Sequence, residues 1–416
     1  MSQSPASEPV IRPFEYERDL SAVQRIWREV GWVSEDEDAK QLEHWLQAGT
    51  TLIATLNGDA ECAVQIATGT MRLQHTDLAL AAVTAVTTSR VARGLALAQR
   101  LTALQLVAAA QQGAAVSALG MFDQGFYDKL GFATGSYEHE LQIDPGTLSV
   151  SVPTTRPRRL GTEDFAAMHA AMCQRRCLHG AVVIEDPRLY RAELAWDDNG
   201  FGLGYDTDGV LSHFIWLAYD DAEHGPYQLR WLCYQDDAQL LDLLGLLKSL
   251  ADQVYSVSIT EPVELQLQTL LQRPLRQRHT TEGSDHQGGH RVVAWWQFRV
   301  LDVPACVGAI ASTQTLELGI EVSDPLAERL PETASWHGVA GRYRVSLGPQ
   351  SRAIQDAPLD DLPLLKIGVG ALTRLLWGIM PATSLQLMGE LSGPPELLQQ
   401  LDTALLMPRA SVGWEF

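Results

Sequence analysis

Two stretches of this 416-residue chain combine residue types that could do chemistry. The first is Arg90-Val91-Ala92-Arg93-Gly94-Leu95-Ala96, which follows an almost wholly apolar run at residues 79–86 and opens a long helical pattern closed by Gly113. Backbone N–H groups at a helix start, with the macrodipole behind them, make a site for an anion such as pyrophosphate. Gly94 lets that backbone approach closely. The second stretch is Gly125-Phe126-Tyr127-Asp128-Lys129-Leu130-Gly131-Phe132. A phenol with a pKa of about 10 can protonate a leaving group that develops negative charge, and Tyr127 is the candidate. Its neighbours Phe126 and Phe132 would equally suit it to an aromatic core.

The elements that must position these residues follow from periodicity. Residues 11–16, 51–56, 61–67, 79–86, 116–119 and 138–143 read as strands, and residues 19–30 and 95–112 as helices, an α/β order. Asn57-Gly58 is a hairpin turn. The run at 79–86 reads as a buried central strand. A Pro- and Arg-rich connector at residues 152–159 precedes a second segment with the same plan: a hairpin at Asp206-Thr207-Asp208-Gly209, a strand at 228–234, a helix at 238–253 and an aromatic strand at 293–300. In this repeat the loop Gln235-Asp236-Asp237-Ala238 carries two carboxylates that would repel a pyrophosphate. A third region from residue 301 has strands at 316–322 and 342–347 and helices at 364–377 and 394–406, an α+β order. The expected division is 10–150, 151–300 and 301–416.

Composition bounds the function. A net charge of −20 disfavours nucleic acid, which needs clustered Lys and Arg, and mildly favours cationic substrates. No apolar run approaches the roughly 20 residues of a membrane span, and residues 1–9 read as neither a signal nor a transit peptide, so a cytoplasmic protein is expected. The five cysteines suit reduced core thiols. Cys173, Cys177 and His179 read as one helical face with its neighbours, and His286 and His290 as a polar loop tip; no metal site is expected. Ser34-Glu35-Asp36-Glu37-Asp38 reads as a solvated helix start.

The apolar strand, the Gly-containing loop and the Phe-Tyr-x-x-x-Gly-Phe stretch together resemble the GCN5-related N-acetyltransferase (GNAT) superfamily. The whole chain, with its second repeat, the strand Ala294-Trp295-Trp296-Gln297-Phe298-Arg299-Val300 and a sterol-carrier-like ending, resembles the Eis-type (enhanced intracellular survival) acetyltransferases. The resemblance implies tandem GNAT repeats, the second degenerate, followed by a domain similar to sterol carrier proteins. It implies acetyl-CoA as co-substrate, held by Thr84, Ala85 and Val86, by Ala92, Arg93, Gly94, Leu95, Ala96 and Leu97, and by Phe122 and Asp123. Tyr127 would be the general acid, and the general base the terminal carboxylate, here that of Phe416, with Glu415 beside it to share this work or bind a cation. A homo-oligomer, a hexamer, is implied, with aminoglycosides, polyamines or lysine side chains as acceptors. Val91 stands where the family has Arg or Gln, which would reduce affinity for CoA. The alternative is a non-catalytic protein that binds acyl-CoA or lipid through its third domain.

Overall fold

The computed structural model describes residues 8–33, 36–197, 199–273 and 287–416, and of residues 36–40 the backbone alone. Ser34, Glu35, the side chains of Asp36, Glu37 and Asp38, and His286 lie outside the described residues.

The chain opens with β1 (Val10–Pro13), α1 (Tyr16–Val30), α2 (Asp36–Gln47), β2 (Thr50–Leu56), β3 (Asp59–Leu73) and β4 (Thr76–Thr88). Helix α1 buries Val23, Ile26 and Trp27 on one face and stops at Gly31, whose φ of 79° is a left-handed cap. Asn57 and Gly58, at φ 54° and 100°, make the turn from β2 to β3. After one 3-10 turn at Arg90–Ala92 come α3 (Leu97–Gln111), β5 (Val116–Gly120), β6 (Ala133–Thr134) and β7 (Glu138–Ile143).

The second half holds β8 (Arg158–Leu160), α4 (Phe165–Gln174), β9 (Val182–Ile184), α5 (Pro187–Ala195), β10 (Phe201–Thr207), β11 (Val210–Ala218), β12 (Tyr227–Cys233), α6 (Asp237–Ser249), β13 (Val257–Thr260), β14 (Gly289–Val293) and β15 (Trp296–Val300). The last region has α7 (Val303–Gly308), β16 (Leu316–Ser323), β17 (Gly341–Leu347), β18 (Arg352–Gln355), β19 (Leu364–Gly368), α8 (Val369–Leu376), α9 (Ala382–Leu387), β20 (Leu391–Ser392) and α10 (Pro395–Ala404). The fold class is the expected one, two α/β halves and an α+β ending, each built on its own sheet.

The sheets do not follow chain order. One runs β1-β2-β3-β4-β5-β15-β6, with β9 paired to β3; the second runs β14-β7-β13-β12-β11-β10-β8; the third runs β18-β17-β16-β19-β20. Strand β7 thus leaves the first half for the second sheet, and β15 returns from the second half to lie between β5 and β6. The aromatic run expected as one strand at 293–300 is two strands in two sheets, broken at Ala294 and Trp295. The helix expected at 364–377 is β19 followed by α8, with Gly368 at the N-cap; a continuous apolar run carries no periodicity to separate the two. Cys173 lies on α4 but Cys177 lies past its end, so the two do not share a helical face.

A buried ion pair joins the first sheet to the third region. Arg299 on β15 donates to Asp324 at 2.6 Å, with both side chains fully buried. Asp324 also accepts from the N–H groups of Leu326 and Val339. The same guanidinium donates to the Leu130 carbonyl, in the turn that begins at Tyr127.

Candidate active site

The site begins where two parallel strands part. Strands β4 and β5 pair at Leu80–Val116, Ala81–Ser117 and Ala82–Ala118 and no further, while β4 continues to Thr88 and β5 to Gly120. Beyond Ala82 the strands leave a crevice at their carboxyl ends, the usual ligand position in α/β sheets. There β4 also bulges: Gln65 opposes Thr84 but Ala63 opposes Thr87, and Ala85 takes φ 53°. Val83, Thr84, Ala85 and Val86 line a cavity of about 420 Å³, facing Gly120, Met121 and Phe122 of the other strand end.

The loop after β4 ends in a bare helix start. Gly94 and Ala96 both take positive φ, 85° and 55°, and Ala96 is the N-cap of α3 with no side-chain cap. The first N–H groups of α3 thus have no side chain of the cap to satisfy them, and left-handed residues in such a loop form an anion-binding concavity. Ala92 and Leu97 are buried, whereas Arg93, Gly94, Leu95 and Ala96 are exposed. The loop is braced from α1: Glu29 accepts from the Arg90 N–H at 2.8 Å, which holds the Glu29 carboxyl below its ordinary pKa. Val91 is exposed.

Tyr127 lies at the other wall. It packs edge-on against Phe126 at 4.8 Å and Phe132 at 6.0 Å and also borders the cavity, so core packing and a place on the cavity wall coincide. Burial raises its phenol pKa, which keeps it protonated. Phe122 packs against both Phe126 and Tyr127, and most of its surface is exposed; Asp123 is exposed beside it.

Phe416 reaches the same cavity because the chain end is pinned in the second half. Val182 N–H donates to the Val412 carbonyl and Ser411 N–H to that of His179. Trp414 is buried against Tyr190, Trp231 and His169, with the Arg175 guanidinium 5.1 Å from its ring centre. The Phe416 ring then packs on Trp296 at 4.8 Å.

A second cavity, of about 660 Å³, opens between the parting ends of β12 and β13 and shares Gly120, Glu193 and Phe416 with the first. Its carboxylates include Glu138, Glu193 and Glu415. Burial raises the Glu138 pKa to about 7, with Glu140 and Glu415 adding to it. Burial raises Glu193 and Glu415 as well, the latter against the pull of Arg230, 3.9 Å away. The Glu415 side chain is about half exposed and lines this cavity.

The loop before α6 differs from the one before α3. The Asp236 carboxylate caps α6 by accepting from Gln239 N–H at 2.9 Å, so that helix start is occupied by the protein's own anion. His179 uses both ring nitrogens, on the Gln74 N–H and the Trp377 carbonyl. His290 stacks on His139. Among the described residues no group of three or more His, Cys, Asp or Glu is placed to hold a metal, and no helix is long and apolar enough to cross a membrane.

Sequence reasoning missed Trp27, Trp32, Trp45, Trp196 and Glu193, all of which line the first cavity. They come from α1, α2, α5 and the residues that follow α1 and α5, and no spacing in the sequence links them.

Residues 11–135 match the family described as the acetyltransferase (GNAT) domain, and residues 305–412 the sterol carrier protein domain. No curated protein matches the sequence. Similar solved structures include a conserved protein of unknown function from Enterococcus faecalis described as a probable N-acyltransferase, with TM-score 0.77 and 15% identity over 97% of this chain and 98% of that one. Eis1 from Mycobacterium abscessus has TM-score 0.75 and 19% identity over 98% and 100%. A GCN5-related N-acetyltransferase from Anabaena variabilis has TM-score 0.78 and 13% identity over 98% and 99%. At such identities the likeness is one of fold, along nearly the whole length of each chain. The crevice between β4 and β5 therefore lies within the residues that match the acetyltransferase (GNAT) domain, and residues 305–412 match the sterol carrier protein domain.

Proposed function

We propose that this protein transfers acetyl directly from acetyl-CoA to a primary amine, with Tyr127 as general acid and the Phe416 carboxylate as general base. The observation that carries the reading is that one cavity is bordered by the bulged β4 segment, by Tyr127 and by Phe416. The bare start of α3 and the left-handed Gly94 and Ala96 support a pyrophosphate there. Thr84, Ala85 and Val86 would pair with the pantetheine arm, with Phe122 and Asp123 at its edge. Amine attack on the thioester leaves negative charge on sulfur, and a phenol kept protonated by burial can donate to it. A carboxylate on the acceptor side takes up the ammonium proton. No cysteine lies among these residues.

In this reading residues 10–150 are the catalytic domain. Residues 151–300 form a second copy that holds no CoA, which the Asp236 cap supports, and residues 301–416 carry the chain end to the site. Resemblance to the Eis-type family favours a cytoplasmic homo-hexamer.

The test is thiol release from acetyl-CoA with a panel of amines, on wild type, Tyr127→Phe and a chain lengthened by a few residues after Phe416. Both variants should lose the roughly 10²- to 10⁴-fold that a positioned acid or base contributes. Turnover that survives both changes would remove these roles. If acetyl-CoA gives no thermal stabilisation, the sterol carrier match makes an apolar-ligand carrier the better account.

A further inference from the structure

The first cavity is walled on one side by a cluster of four indoles. Trp27 lies 5.2 Å from Trp32, 6.2 Å from Trp45 and 5.7 Å from Trp196, and the Trp45 and Trp196 rings lie 4.6 Å apart, tilted by 31°. The Nε1 atoms of Trp27, Trp45 and Trp196 are sealed from solvent and without a partner. What these three rings show to the cavity is therefore carbon. The wall exists only in the assembled chain, since Trp27, Trp32 and Trp45 come from the first half and Trp196 from the end of α5 in the second.

Against that wall stands one carboxylate. Glu193 borders both cavities together with Phe416, and its carboxylate makes no hydrogen bond or ion pair with the described residues. Its charged neighbours are Glu415 and Asp197, of its own sign, and Arg230. A buried carboxylate without a partner is costly, and a cationic ligand would relieve that cost. Burial raises its pKa, which a bound ammonium would reverse.

We infer that Glu193 and the Trp27, Trp32, Trp45 and Trp196 wall select the acceptor, and that they fit a primary monoamine with an apolar ring, an arylalkylamine. The ammonium would sit on Glu193 and the ring on the indole faces. This rests on the acetyltransferase reading for the fate of the amine, although binding can be measured without it. Within the first cavity Glu193 is the one carboxylate side chain among the lining residues, so a ligand held there leaves the hydroxyls of a sugar, or the inner ammonium groups of a polyamine, without partners, a loss counted for each group. Indole faces attract both an aromatic ring and a cation. The volume of about 420 Å³ lies toward the lower end of the range of roughly 300–1,000 Å³ for small-molecule sites.

Isothermal titration of the full chain with phenethylamine, its neutral analogue 2-phenylethanol, and spermidine tests the assignment. Wild type, Glu193→Gln and Trp196→Leu are compared after melting curves confirm folding. Phenethylamine should bind wild type about tenfold or more tighter than either competitor, the scale of one hydrogen bond to a charged group. Glu193→Gln should abolish the preference over the alcohol, and Trp196→Leu should weaken phenethylamine about tenfold, the scale of a truncated aromatic contact. Spermidine binding as tightly as phenethylamine, or an unchanged phenethylamine affinity in Glu193→Gln, overturns the proposal. Should Trp196→Leu not fold, Glu193→Gln alone decides. Acetyl-CoA stabilisation on the same samples is a separate readout: its absence sinks the acetyltransferase reading, while the titration still judges the pocket.

Discussion

Replacing Trp414 by alanine should release the chain end from the site without touching Tyr127. Trp414 is buried against Tyr190, Trp231 and His169, with Arg175 over its ring. A tryptophan buries roughly 150–250 Å², worth about 4–6 kcal/mol at about 25 cal/mol per Å². A methyl remains and the walls relax in part, so the loss is about 3–5 kcal/mol. The other holds on the tail are the buried Ala410 and Val412, the Phe416 ring on Trp296 and Glu415 beside Arg230. Its backbone bonds run from Ser411 to His179, from Val182 to Val412, and from Arg175 to Val412. Since every 1.4 kcal/mol is tenfold, the ratio of docked to undocked tail should fall by a factor of about one hundred to a few thousand. Trimming by a carboxypeptidase, which follows the population of the open state, should quicken by up to that factor, and acetyl-CoA turnover with a good amine should fall in parallel. A Trp414→Ala protein trimmed no faster than wild type and turning over at the wild-type rate would refute both the anchoring argument and the role given to Phe416.

Gly94→Ala should weaken acetyl-CoA without unfolding the domain. An added Cβ meets nothing within 4 Å, but φ is +85°, so the change costs about 1–2 kcal/mol of backbone strain, or a roughly 5- to 30-fold rise in dissociation constant if the loop relaxes away from its binding form. An unchanged titration would show that the left-handed backbone at this position does not hold the ligand. Glu138 gives a pH test. Its pKa rises from 4.5 to about 7 on folding, so the folded state holds the proton more tightly than the unfolded one. Its stabilising contribution is fully present below pH 4.5 and is lost as pH rises through about 7. Urea midpoints at about pH 5 and about pH 8 should therefore differ less in Glu138→Gln than in wild type; equal differences would mean that Glu138 is not buried as described.

Much of the first half was legible because its signals are local. The Asn57-Gly58 turn, the helix closed by Gly113 and the strand-loop-helix order around Gly94 all follow from neighbours in sequence. Tyr127 was legible as a candidate through its motif, and the structure shows why the aromatic-core reading competed: the ring packs in the core and borders the cavity. What the sequence hid is non-local. Nothing in Trp296-Gln297-Phe298 says that β15 pairs with β5 and β6 rather than with the strand before it. The apolar stretch from Leu364 to Trp377 could be strand or helix, and Gly368 and Gly370 did not settle it. Of helix α2 only the start was legible, in the acidic stretch from Ser34 to Asp38; its length, to Gln47, was not. The indole wall was hidden for the same reason as β15, because its members come from separate helices that meet only in three dimensions. Glu193 carries no sequence signal of its own; it comes to the cavity because α5 packs on α2.

The exchange of β7 and β15 also bears on how the protein is made. Strands β5 and β6 are joined only through β15, which leaves the ribosome about 160 residues after β6, on the order of ten seconds or more at roughly 5–20 residues per second. Throughout that interval the nascent first half has β5 as an open edge, able to pair with a neighbouring chain. The newborn chain therefore passes through a window of aggregation risk that closes only when Trp296–Val300 arrives. A recombinant fragment stopped at residue 150 would never leave that window, and it would also carry β7 without the sheet in which that strand belongs.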